Sequence, residues 1–141
     1  MCMDQPSERR FSGRLPHGSD LLAALTDFCS QNNILHGGVQ GLGALSRARV
    51  AFYDQKEQVY HEVAFDNHLE ILTLMGNVSL RDGRPFVHAH VVLADESGRA
   101  FGGHLVEGCT VFACEFAIQE WQHAPAPERQ KDPVTGLWLW P

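Results

Sequence analysis

Residues 85–105 leave the chain little choice of pairing. Two β-rich runs are separated by a polar turn that ends in glycine, the pattern of a β-hairpin. The three-residue loop Glu96-Ser97-Gly98 suits a type I turn closed by a glycine in the left-handed region. That loop sets Asp95 opposite Arg99 and, counting outward, His90 opposite His104. His88 lies two residues before His90 and so shares its face. Val87, Ala89, Val91 and Leu93 make the other face wholly apolar, which assigns it to the core. Three imidazoles then converge on the side away from that core.

Three convergent neutral imidazoles match the ligand preference of a borderline-soft divalent ion, zinc above all, with a fourth position left for water or substrate. The alternative is three solvated or hydrogen-bonded histidines on an exposed strand. Gly102, beside His104 and opposite Val92, reads either as room left next to an ion or as a simple bulge. No fourth protein ligand stands at suitable spacing.

A chain of 141 residues with 44% apolar residues fits one domain with its own core. Its 11 basic and 17 acidic residues give a net charge of −6, against the habit of a phosphate-backbone binder. Gly83-Arg84-Pro85 repeats the centre of an AT-hook, but it follows Asp82 and runs straight into an apolar strand, so it reads as a turn; no direct nucleic-acid binding is expected. The first residues show no basic or apolar leader pattern and no apolar run reaches membrane-spanning length, so the expected location is the cytoplasm. Four cysteines without Cys-x-x-Cys spacing agree with that. Cys29 is expected in the core, and Cys109 and Cys114, placed on one strand, are expected on opposite faces.

Read in order, residues 1–8 are expected to be disordered, 9–120 to form the domain, and 121–141 to form a Pro- and Trp-containing tail. Residues 9–15 read as a first strand. Ser19 is the expected N-cap, with Asp20 favouring the dipole of an amphipathic helix that ends near Asn32. Gly37, Gly38, Gly41 and Gly43 lack the pattern of a phosphate loop and suggest a strand with close packing or a bulge. A hairpin around residues 54–57, a long strand at 69–80 and a strand at 110–119 follow. Along that last strand the alternation places Thr110, Phe112, Cys114, Phe116 and Ile118 on one face. His17 reads as a solvated turn residue and His36 as structural. The two tryptophans of 137–140 are expected to dock rather than stay in water.

Arg14-Leu15-Pro16-His17-Gly18, Gly41-Leu42-Gly43-Ala44, Leu74 to Ser79, Pro85 to His90 and Gly102-Gly103-His104-Leu105 together resemble the PPC domain shared by plants and prokaryotes, in its prokaryotic stand-alone form. The resemblance implies an α/β fold of the α+β type, a mostly antiparallel sheet packed by one helix, related at fold level to acetolactate decarboxylase. It also implies a homotrimer, and metal binding at His88, His90 and His104. Function then divides between a small metal-binding module whose site takes a small anionic ligand and a zinc-dependent lyase or hydrolase acting on a small carboxylate. A regulatory protein associated with DNA through partners is a further reading. For the enzyme, Glu70, Glu107 and Glu115 are candidates to move a proton and Arg14 to grip an anion, each against the plainer reading of a surface ion pair. No organic cofactor is expected.

Overall fold

The computed structural model describes residues 9–122 and 125–141; the expectation of disorder over 1–8 lies outside them. The helix α1 (Leu21–Gln31) is preceded by β1 (Arg10–Arg14) and followed by β2 (Gly37–Asp54), β3 (Val59–Phe65), β4 (Leu69–Arg81), β5 (Arg84–Ala94), β6 (Ala100–Leu105), β7 (Thr110–Glu120), β8 (Gln130–Lys131) and β9 (Trp138–Leu139).

The strands β1 to β7 form one antiparallel sheet in the order β1-β7-β2-β4-β5-β6. The glycine-rich first half of β2 pairs with β4 and β7, and a bulge between Gly41 and Gly43 bends it. Its second half pairs with β3 and also meets β6, with Val50 opposite Leu105 and Ala51 opposite His104. One long strand thereby serves both halves, and β2, β4, β5 and β6 close into a ring.

Leu21, Leu25 and Cys29 repeat every four residues along α1 and are fully buried, so the helix lays one apolar stripe on the sheet. The buried side of β5, Val87, Ala89, Val91 and Leu93, joins the same core as that stripe. Asp20, not Ser19, is the N-cap: its carboxylate accepts from the Ala23 amide at 2.9 Å and from the Gly108 and Cys109 amides at 2.7 and 3.1 Å. Ser19 instead bonds the Pro16 carbonyl. A carboxylate accepts three amides where a hydroxyl would satisfy one, so Asp20 also ties the helix start to the β6–β7 loop.

Two expectations for β7 change. Phe112 is an extra residue on that strand, since Ala44 pairs with Ala113 and Leu45 with Val111. The alternation therefore switches there: Val111 is buried and Phe112 is exposed. The same bulge carries Cys109 and Cys114 to the same side, both buried, rather than to opposite faces. Each is a free thiol, as is Cys29.

Candidate metal centre

The hairpin of β5 and β6 has the register counted from its loop, with His90 opposite His104. Gly98 is left-handed at φ 78°, and the Asp95 amide bonds the Arg99 carbonyl. The Asp95 carboxylate accepts from Ser97 and Arg99, locking the turn. Those bonds, with the Ser97 hydroxyl contributing most, hold its carboxyl down at about 2. Gly102 answers a local need. A Cβ there would sit 2.0 Å from the Val91 carbonyl oxygen of β5, so the strand pair itself demands glycine.

His88, His90 and His104 each offer a ring nitrogen, and these atoms lie within 4.8 Å of one another. The ring centroids are 5.0–5.5 Å apart. His90 is exposed, while His88 and His104 are half-buried. Burial, followed by the charge of neighbouring rings and of Arg129, pushes His88 and His104 down to about 4. Both are therefore neutral at pH 7, the form that ligates. Nδ1 of His104 is buried with no hydrogen-bond partner. A buried imidazole nitrogen left without a partner, in a cluster of three such rings, fits a divalent ion better than it fits a satisfied polar cluster.

Beside the rings opens a cavity of about 450 Å³, walled by Tyr60, Phe86 and Trp138 and reached by His88 and His104. Arg129 lines it, buried at 6% exposure. Its guanidinium donates to Ser79 Oγ (2.9 Å), the Trp138 carbonyl (2.8 Å), Asn77 Oδ1 (2.8 Å) and Nδ1 of His88 (3.2 Å). The tail that carries it folds back on the sheet: Leu80 pairs with residues 127–129, and Tyr53 donates to the Thr135 carbonyl. Trp138 lies under the Arg81 guanidinium at 4.4 Å, and Trp140 packs edge-on to His36. Both tryptophans thus find partners within the chain, yet they stay exposed at 38% and 42%.

The residues weighed for acid–base or anion-binding roles stand elsewhere. Arg14 and Glu115 pair across β1 and β7 and line a different cavity with Leu42 and Leu72. Glu70 is exposed on β4 near Phe112, and Glu107 is exposed in the β6–β7 loop. None of the four lines the cavity that holds His88 and His104. His17 is exposed and bonded to the Phe112 carbonyl. Arg129 is the residue that the sequence did not reveal. In Glu128-Arg129-Gln130-Lys131 it looks like one charge in a solvated stretch.

Residues 4–122 match the Plants and Prokaryotes Conserved (PCC) domain. The chain belongs to the PCC family. Among solved structures, this PCC chain is similar to a metal-containing protein from Archaeoglobus fulgidus, with 37% identity and a TM-score of 0.90 over 99% of both chains. It is equally similar to a plant- and prokaryote-conserved protein from Pyrococcus horikoshii, with 37% identity and a TM-score of 0.90 over 100% of this chain and 97% of that one. It is also 35% identical to 131 residues of the bifunctional protein GlmU of Synechococcus sp. (strain JA-3-3Ab), covering 92% of this chain but 20% of that protein. α-Acetolactate decarboxylase from Bacillus subtilis shares the fold at 13% identity and a TM-score of 0.59, over 89% of this chain and 57% of that one. Among the described residues, no helix is long and apolar enough to cross a membrane.

Proposed function

We propose that His88, His90 and His104 hold one divalent metal ion, zinc by preference, in a small PCC-domain protein whose site accepts a small anionic ligand. The observation that carries this reading is the convergence of three ring nitrogens within 4.8 Å of one another. Two of those rings are kept neutral by burial. The metal-containing archaeal relative, alike over nearly its whole length, supports it further. Three imidazoles leave a position open for water or a ligand atom, and His90 on the exposed side leaves an approach. Bound there, the ion would act as a Lewis acid toward that ligand. The chain's part is to fix the three rings on one hairpin and to wall the approach with Tyr60 and Trp138.

Self-association, as a homotrimer, belongs to the same reading. Leu42, Leu72 and Met75 are more than half exposed and line one surface cavity on the sheet, an apolar patch suited to a second copy. The test of the metal site is the zinc content of the purified chain and of His104→Ala after chelation and reloading. One ion per chain in the wild type and a marked loss in the variant is expected; equal content in both overturns the site.

A further inference from the structure

We infer that the cavity beside the three histidines is built to bind a small carboxylate with a flat apolar body, and that Arg129 is the group that recognises its charge. This names the ligand class of the site proposed above and depends on that reading only for the ligand's second anchor.

Arg129 is a buried cation with neutral company. All four of its acceptors are uncharged: a hydroxyl, a backbone carbonyl, a side-chain amide oxygen and an imidazole nitrogen. Among the described residues no carboxylate comes within ion-pair distance of it. A guanidinium does not escape by losing its proton, and an uncompensated buried charge costs several kcal/mol. Acids are not scarce in this chain, which carries 17 of them, yet no Asp or Glu lines this cavity. Arg81 adds a second guanidinium to the same wall, stacked on Trp138. A metal ion on three neutral imidazoles would add still more positive charge. The missing partner is an anion.

The shape narrows its class. Tyr60, Phe86 and Trp138 are aromatic walls, and a volume of about 450 Å³ suits a small molecule rather than a polymer. Arg129 has five N–H groups, and four are taken by the protein. The one left, on Nη1, serves a single oxygen in the metal-free chain, and a metal on His88 would release a second, on Nη2. A carboxylate fits this free N–H edge on one side and an open metal position on the other. A phosphate dianion, with its third and fourth oxygens against aromatic rings, does not. Arg129 and Trp138 also lie beyond residue 122, where the match to the PCC domain ends.

The experiment is calorimetric titration of the zinc-loaded full chain with benzoate, with its neutral isostere benzamide, and with inorganic phosphate. Zinc content is measured in each sample. Benzoate should bind at least roughly tenfold more tightly than benzamide, the size of one charge-assisted hydrogen bond. Arg129→Gln should remove that preference, and Arg129→Lys should keep part of it. Because Arg129→Gln also removes bonds to Ser79, Asn77 and Trp138, a second measurement uses the wild type alone: benzoate ring protons should show a nuclear Overhauser effect to the Trp138 indole. Equal binding of benzoate and benzamide, a preference that survives in a folded Arg129→Gln, tighter binding of phosphate, or no effect at Trp138 would each overturn the inference. A chain that takes no zinc but still prefers benzoate keeps the carboxylate site and sinks the metal reading. One that loads zinc without the preference does the reverse.

Discussion

Arg129 approaches Nδ1 of His88 at 3.2 Å, from a residue 41 positions further along the chain. A guanidinium only donates, so in the metal-free ring Nδ1 of His88 is the acceptor and Nε2 carries the proton; a metal held at Nε2 would move that proton to Nδ1 and release Arg129. Histidine ligands usually donate their second nitrogen to a carboxylate or carbonyl; here that nitrogen meets a cation instead. The arrangement lowers the basicity of His88 and couples the ring to whatever Arg129 binds.

That coupling gives a first prediction. In the zinc-loaded protein, saturating benzoate should slow zinc loss to a chelator, because the two ligands share one positively charged pocket. Zinc release followed by a colorimetric chelator checks it, and an unchanged rate with benzoate present contradicts it.

The metal-free protein should lose stability in mild acid. His88 and His104 titrate at about 4 when folded, against an ordinary value of 6.5. Between those values the unfolded chain binds more protons, so stability falls as pH drops from 6.5 and this contribution levels off below 4. Thermal midpoints measured across pH 4 to 7 test the sign. The double variant His88→Gln and His104→Gln should show a shallower slope, and an identical slope would refute the assignment.

Asp20→Ala should destabilise the fold by about 1–3 kcal/mol. It removes a helix cap and leaves the amides of Ala23, Gly108 and Cys109 without their acceptor. Urea denaturation reads this directly. Ser19→Ala, which loses only a bond to the Pro16 carbonyl, should cost much less.

Gly102→Ala should also destabilise, and it should do so whether or not zinc is present. Its Cβ would fall 2.0 Å from the Val91 carbonyl oxygen, a clash of strand against strand. A variant of native stability with weakened zinc binding alone would point back to room beside the ion as the reason for the glycine.

No tight binding to AT-rich duplex is expected. Asp82 and Gly83 form the β4–β5 turn with positive φ, and Arg84 already pairs with Arg81, so Gly83-Arg84-Pro85 is not a loose basic segment. A mobility shift that persists at physiological salt would defeat this.

The histidine cluster was legible because it is local. A three-residue loop fixes the register of everything beyond it, and faces alternate strictly from there. The face assignment failed along β7 because the bulge at Phe112 depends on its partner β2, which the strand's own pattern does not contain. Arg14 was a candidate anion binder because a guanidinium grips a carboxylate in bidentate fashion. It pairs with Glu115 in register, while the arginine that reaches the cavity arrives from the tail. Nothing in the local sequence of Arg129 separates it from a solvated charge.

The hairpin that carries the histidines closes through one short loop, whereas β1 meets β7 with Arg10 opposite Gln119 and Arg129 joins from later still. Hairpins form in about 1–10 μs, and distant pairings wait on larger loop-closure costs. The three rings therefore assemble early in folding and the arginine wall arrives last. A refolding chain should protect the amides of β5 and β6 from exchange before those of β1, and pulse labelling that found the reverse order would reject it.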